Sequence, residues 1–188
     1  MSARRAMIRK EQRERAKLKK RKDANGEMQK AAEHGKLEGR TIAFCVIADH
    51  LYDVHGFRQK RIEVFLTKCN REATRFTQKG FQFVLESYAA MLLERINKTN
   101  VGTQVKGFID HVYICQRDEY YVSSIALMLT VLNSEYGMGS NRKNTGRLDE
   151  LMEYCTLEYM KIQLDPQGHN VDWYVKRTKE KTGIRLIQ

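Results

Sequence analysis

The pattern of apolar residues predicts two amphipathic helices of related sequence. One lies in the segment 61–76 and the other in the segment 147–162, and the two correspond when Arg61 is aligned with Arg147, an offset of 86. The apolar positions are Ile62, Phe65, Leu66, Cys69, Ala73 and Phe76 in the first segment and Leu148, Leu151, Met152, Cys155, Tyr159 and Ile162 in the second. Spacings of three, four and seven residues place each set on one face of an α-helix.

Each amphipathic segment follows an almost entirely apolar one that ends at a glycine. The first apolar segment, 41–57, reads TIAFCVIADHLYDVHGF, and the second, 122–139, reads VSSIALMLTVLNSEYGMG. At an offset of 81, the apolar residues Phe44, Ile47, Ala48 and Leu51 match Ile125, Met128, Leu129 and Leu132. Gly56 and Gly137 are predicted to cap these helices, because glycine adopts a positive φ without strain.

The repeated unit is predicted to contain three helices, since a third helical segment follows Gly80 in the first copy and Gly168 in the second. We therefore predict an all-α protein, a helical bundle built from two related three-helix units with a basic N-terminal arm. The predicted divisions are the arm at 1–40, the first unit at 41–98, a connecting segment at 99–119 and the second unit at 120–188. The connecting segment is predicted to hold a short helix with apolar residues at Val105, Phe108, Ile109 and Val112. The apolar first helices favour one interior shared by both units; two separate bundles, or a homodimer formed through a first helix, are the alternatives.

Positive charge is concentrated in the first 22 residues. The whole chain carries a formal charge of +11, and residues 1–22 contribute eleven basic and two acidic side chains to it. The basic residues are Arg4, Arg5, Arg9, Lys10, Arg13, Arg15, Lys17, Lys19, Lys20, Arg21 and Lys22. Mutual repulsion predicts a flexible arm, yet its residue types are strong helix formers, so it is predicted to become helical once phosphates neutralise it. Asn25-Gly26 is a predicted stop, and Gly35 and Gly39 predict a loose connection to the body.

The two amphipathic helices differ in the charge of their polar faces. The first copy is basic, with Arg58, Lys60, Arg61, Lys68, Arg71, Arg75 and Lys79, whereas the second copy is acidic between residues 147 and 161. Lys68, Arg71, Arg75 and Lys79 are three and four residues apart, so a helix would present them as one cationic face opposite the apolar stripe. The acidic face suits a protein partner or water.

A basic arm beside a cationic helix face predicts binding to the phosphate backbone of nucleic acid, DNA or RNA. Such contacts supply affinity and little sequence preference. The alternatives are an arm that only keeps the protein dissolved, and an inhibitor or adaptor that docks on a host nucleoprotein machine by protein-protein contact. Membrane binding is not expected, because the arm lacks large apolar residues and no apolar run reaches the ~18–20 residues of a membrane span. The expected location is the bacterial cytoplasm.

No constellation of residues predicts catalysis, a cofactor or a metal. Asp49, His50, Asp53 and His55 cluster in sequence, but the two histidines would point away from the aspartates on a helix. His111 and Cys115 have the spacing of a thiol dyad that is common by chance. Cys45, Cys69, Cys115 and Cys155 form no CxxC pair and are expected to be buried free thiols. The segment GMGSNRKNTG at 137–146 is predicted to be a connector, and Trp173 a docking residue for the last helix, with base stacking as the alternative.

The stretch ADHLYDVHGFRQKRIEVFLTKC, at 48–69, resembles small uncharacterised proteins from prophages and mobile elements of Gram-positive bacteria. Those proteins have a basic start, an apolar helix, a Gly-Phe-Gly turn, a Lys-Arg-Leu segment and an amphipathic helix. Their closing segment is similar to EKTGIR at 180–185. This chain departs from that pattern at Arg58, where the second glycine would lie, and in its apparent second copy. The resemblance implies a phage-type accessory protein without an established activity.

Overall fold

The structure, a computed structural model, describes residues 2–74, 79–99, 105, 107–139 and 145–184. These residues form six α-helices and contain no strand. The helices are α1 (Ser2–Asp53), α2 (Gln59–Ala73), α3 (Lys79–Lys98), α4 (Phe108–Tyr136), α5 (Thr145–Leu164) and α6 (Val171–Thr182). The predicted all-α class is confirmed.

The core is one hydrophobic cluster to which all six helices contribute. The C-terminal half of α1 and the middle of α4 are its centre, because both are apolar on every side and therefore cannot face water. The helices α2 and α3 pack against α4, whereas α5 and α6 pack against α1. Each central helix is thus covered by the helices that follow the other one, which matches the predicted shared interior. The internal repeat itself stays a prediction.

The predicted capping glycines are confirmed at both ends where the sequence placed them. Gly56 has a φ of 65° and Gly137 a φ of 63°. In each case the next residue returns its backbone N–H to the helix: Phe57 donates to the carbonyl of Leu51 at 2.9 Å, and Met138 to that of Leu132 at 3.2 Å. This bond across six residues is the Schellman arrangement, and it directs the chain from each central helix into the next segment.

The predicted stop at Asn25-Gly26 and the loose connection at Gly35 and Gly39 are wrong, because α1 runs unbroken from Ser2 to Asp53. The glycines at 35 and 39 lie against the backbone of α4. A Cβ added at Gly35 would collide with the carbonyl oxygen of Tyr113, and one at Gly39 with that of Arg117. These glycines therefore allow two helix backbones to touch, and they are contact residues in a continuous helix.

The predicted connecting segment is likewise part of a continuous helix. The short helix expected near residues 105–112 and the first helix of the second unit are one helix, α4, which begins at Phe108. The predicted boundaries at residues 40 and 119 therefore fall inside α1 and α4. Both central helices are longer than their buried parts, because each begins with a stretch that continues the same helical backbone and is largely exposed where its side chains are described.

Candidate nucleic-acid interface

The basic arm is the N-terminal half of α1, in helical form. The side chains of Arg4, Arg5, Arg9, Lys10, Arg13 and Arg15 lie outside the described residues. The other cations of the arm, Lys17, Lys19, Lys20, Arg21 and Lys22, are all exposed. Within the described part of the chain, none of these five forms an ion pair. They therefore remain available to an external anion.

This half of α1 extends well beyond the helix that packs against it. Gly35 lies against Tyr113 and Gly39 against Arg117, so α1 and α4 run parallel, and the first residue of α4, Phe108, is level with about Lys30. At a rise of 1.5 Å per residue, the segment from Ser2 to Lys30 projects about 40 Å past that level. We call residues 2–30 the rod.

Positive charge surrounds the rod on all sides. Successive helical residues are turned by about 100°, so Lys19, Lys20, Arg21 and Lys22 point in four directions around the axis. The flanking residues 23–27 are exposed as well, so the side chains described between Lys17 and Glu27 form no buried stripe that packs onto another helix. A rod of this kind attracts phosphates electrostatically and contains no surface shaped to distinguish bases.

The predicted cationic face from Lys68 to Lys79 is not a single helix face. The helix α2 ends at Ala73 and α3 begins at Lys79, so these residues belong to different helices. Arg75 lies outside the described residues, as does the side chain of Lys79. The spacing of three and four residues continues past the end of α2, so the spacing alone did not indicate one helix.

The two remaining cations of that face are paired with a carboxylate from α4. Lys68 Nζ lies 2.9 Å from Glu135 Oε2, and Arg71 Nη2 lies 3.4 Å from Glu135 Oε1. Arg71 also contacts Glu72, at 3.1 Å. The hydrogen bond to Glu135 raises the pKa of Lys68. These cations fasten α2 to α4 and are therefore less available to phosphate than those of the rod.

The cations at the start of α2 are held by aromatic rings. The guanidinium carbon of Arg58 lies 4.8 Å from the ring centre of Tyr52, and that of Arg61 lies 3.9 Å from the ring centre of Phe57. Lys60, between them, is exposed. The eighteen predicted nucleic-acid-binding residues thus do not form one continuous surface, because the rod and the start of α2 lie near opposite ends of α1.

A buried polar network joins α1, α5 and α6, and sequence reasoning missed it. Arg177 donates through Nε to Asp49 and through Nη2 to the hydroxyl of Tyr154, each at 2.5 Å. Its Nη1 lies 3.4 Å from Glu158 Oε2. Tyr174, fully buried, donates to the same carboxylate at 2.8 Å. No local pattern could reveal this network, since its members are up to 128 residues apart.

The electrostatics of the network are those of structural ion pairs. Burial raises the pKa of Asp49, although Thr178 and Arg177 oppose the rise. Burial also acts to raise the pKa of Glu158, but hydrogen bonds from Lys161 and Tyr174 outweigh it, so the pKa lies below its usual value. Both carboxylates are directed toward protein cations, which fixes the position of the last helix.

The cluster Asp49, His50, Asp53 and His55, which the sequence does not predict to bind a metal, contacts several different partners in the structure. Asp49 faces Arg177, whereas Asp53 pairs with Lys181 at 2.5 Å. His50 packs against Tyr154, with 4.9 Å between ring centres. Across the described residues, no group of three or more histidine, cysteine or acidic side chains is placed to hold a metal ion.

Tyr174, and not the predicted Trp173, is the residue that anchors α6 in the core. Tyr174 is buried, whereas Trp173 is 36% exposed and lies under the guanidinium of Arg177 at 4.8 Å.

The expectation of four buried thiols is confirmed for Cys45, Cys69 and Cys155 and wrong for one. Cys115 is exposed on α4, with its Sγ 3.6 Å from His111 Nε2. Residues 140–144 of the glycine-containing connector lie outside the described residues.

Comparisons of the chain with known protein families, with curated proteins and with solved structures found no match. Among the described helices, none has the length and apolar character needed to cross a membrane.

Proposed function

We propose that this protein binds nucleic acid through the phosphate backbone, with the rod at residues 2–30 as the contact surface. The observation that carries the proposal is a helix projecting about 40 Å whose described cations are exposed and unpaired. Each phosphate that a cation neutralises releases counterions, so the affinity would be strong at low salt and would weaken steeply as salt rises.

The rod is better suited to this role than the cations of α2. Lys68 and Arg71 already have a carboxylate partner in Glu135, and a phosphate would have to compete with it. The cations of the rod have no such competitor among the described residues. The function proposed is therefore narrower than the sequence prediction, since the rod alone provides the contacts.

The test compares two full-length variants that lose the same charge at different places. One replaces three cations of the rod, Lys19, Lys20 and Lys22, with glutamine; the control replaces three exposed lysines of the body, Lys98, Lys176 and Lys179. Binding to duplex DNA, single-stranded DNA and RNA is measured by fluorescence anisotropy at several salt concentrations. The rod variant is expected to reduce the slope of log affinity against log salt by about 3, at about 0.9 per lost duplex contact.

Equal slopes for the two variants would contradict the proposal, because any loss would then reflect overall charge. Absence of measurable binding by the unaltered protein at low salt would also contradict it. The adaptor hypothesis would be favoured if one host protein were recovered from nuclease-treated lysate by the unaltered protein and not by the rod variant.

A further inference from the structure

A pocket of about 260 Å³ lies at the end of α1 far from the rod. It is bounded by the turn that follows α1, the beginning of α2, the end of α4 and the beginning of α5. Its lining residues are Val54, His55, Phe57, Arg61, Tyr136, Met138 and Arg147. No acidic residue lines the pocket in the described part of the chain.

Six of the seven lining residues are three pairs that the repeat alignment makes equivalent. At the offset of 81, His55 matches Tyr136 and Phe57 matches Met138; at the offset of 86, Arg61 matches Arg147. The pocket therefore lies where the two predicted copies meet, and each copy supplies one arginine. The similarity of the two segments has a spatial counterpart at this point.

The pocket concentrates positive charge. Neither Arg61 nor Arg147 has a carboxylate within ion-pair distance among the described residues. Arg61 is the third residue of α2 and Arg147 the third of α5, so both lie at the positive ends of their helix dipoles. The ring of Phe57 holds the guanidinium of Arg61 in place, at 3.9 Å. Fixed guanidinium groups suit the oxygens of phosphate and carboxylate.

Two of the lining residues also carry buried polar atoms that lack a partner. His55 Nε2 and the hydroxyl of Tyr136 are inaccessible to water and make no hydrogen bond within the described residues. An unpaired buried donor costs about 1–3 kcal/mol, so such groups are rare without a reason. Burial, and then the charge of Arg147, lower the pKa of His55.

We propose that this pocket binds a phosphate group. Arg61 and Arg147 would neutralise its charge. The Tyr136 hydroxyl and His55 Nε2, which water does not reach in this structure, would turn toward the phosphate oxygens and donate hydrogen bonds to them. Phe57 and Met138 form the apolar wall. The volume lies below the ~300 Å³ at which pockets for drug-sized ligands begin, so it suits a phosphate head group and not a whole nucleotide.

This site is independent of the proposed nucleic-acid contact. Val54, which directly follows α1, lies 32 residues beyond Lys22, and this corresponds to about 50 Å of helix. The phosphate can come from inorganic phosphate and small phosphomonoesters or from the phosphorylated end of a nucleic acid. These sources share one recognition chemistry, and the experiment separates them.

Binding is measured on the full-length protein by isothermal titration calorimetry with inorganic phosphate, glycerol phosphate, and short oligonucleotides with and without a 5′-phosphate. Sodium chloride of equal ionic strength is the reference. The variants are Arg147→Gln and Tyr136→Phe, the second of which removes only the hydroxyl. The matched control is Arg58→Gln, which removes a neighbouring arginine that does not line the pocket. Circular dichroism confirms that each variant is folded.

Phosphate is expected to bind at one site per chain, with an affinity reduced at least tenfold by Arg147→Gln and about fivefold by Tyr136→Phe, and unchanged by Arg58→Gln. Tighter binding of the 5′-phosphorylated oligonucleotide than of the same oligonucleotide without the phosphate, with the difference lost in Arg147→Gln, assigns the source to nucleic-acid ends; equal binding of the two oligonucleotides assigns it to small phosphates. Equal losses in Arg147→Gln and Arg58→Gln, or no binding above the chloride reference, would overturn the proposal. The triple rod variant should leave phosphate binding intact, so the two proposals can fail separately.

Discussion

The two halves of α1 share one helical backbone and have opposite chemistry. The half from Ser2 to Lys30 is rich in arginine and lysine and is exposed wherever its side chains are described, apart from Met28. The half from Gly35 to Asp53 packs against three other helices, α4, α5 and α6, and contains Asp49, which is 0% exposed. Helix propensity alone accounts for the first half, whereas tertiary packing maintains the second. The comparison teaches that the same secondary structure can depend on unrelated forces within one element.

The largest expected effect lies in the buried half and concerns an ion pair. Asp49→Asn should lower the free energy of unfolding by about 3 kcal/mol, because it leaves the guanidinium of Arg177 without its buried carboxylate. Asp53→Asn removes the exposed ion pair with Lys181 on the same two helices and should cost less than about 1 kcal/mol. Urea denaturation of both variants measures the contrast. Equal effects would mean that burial does not determine the strength of these pairs.

Glycine substitutions sharpen the comparison further. Gly39→Ala should lower the free energy of unfolding by about 2–3 kcal/mol, because the added methyl group would push α1 away from the carbonyl of Arg117. A melting temperature unchanged from that of the unaltered protein would show that the two helices can separate at this point without loss.

Acid should weaken the buried half selectively. Burial lowers the pKa of His50 to about 4, whereas an unfolded histidine titrates near 6.5. The unfolded chain therefore binds the proton more readily, and stability falls as the pH falls from about 6.5 toward 4. Between pH 7 and pH 5 this group should account for about 2 kcal/mol. His50→Gln should flatten the dependence of the unfolding free energy on pH by that amount; an unchanged slope would contradict the assignment.

The smallest expected effect lies in the exposed half. Gly26→Ala places a methyl group where no other atom lies within 4 Å, so only helix propensity changes. The substitution should stabilise the local helix by about 0.5–1 kcal/mol and raise the far-ultraviolet circular dichroism signal. The midpoint of global unfolding should stay the same, since the rod does not contribute to the core. A shift of that midpoint would show that the rod unfolds together with the body.

The features that depended on sequence-local physics were predicted correctly. The predicted stripe of α5 is buried throughout, and that of α2 is buried at Ile62, Phe65 and Cys69 and half-buried at Leu66 and Ala73, whereas Phe76 lies outside the described residues. The glycines at 56 and 137 cap their helices. The same residue type was misread at positions 35 and 39, because a glycine that breaks a helix and a glycine that lets another helix approach look alike in sequence. The difference lies in Tyr113 and Arg117, which belong to a distant part of the chain.

The candidate site was predictable only in part for a related reason. The charge of the rod follows from composition, so its position was evident from residues 1–22. Lys68 and Glu135 are 67 residues apart in the sequence and belong to α2 and α4, so no periodicity within α2 could indicate that they pair. The pocket forms where the segments that follow α1 and α4 come together. The sequence shows that these segments are similar, but it does not show that they are in contact.

The unbroken course of α1 has a mechanical consequence. A continuous helix of 52 residues spans about 80 Å. It therefore fixes the distance between the amino end of α1 and the pocket beyond its carboxyl end. If the rod binds nucleic acid as proposed, this unbroken helix would hold the body at a fixed distance from it, which a flexible linker would not do. The spacing between the two ends is thus written into the number of residues in one helix.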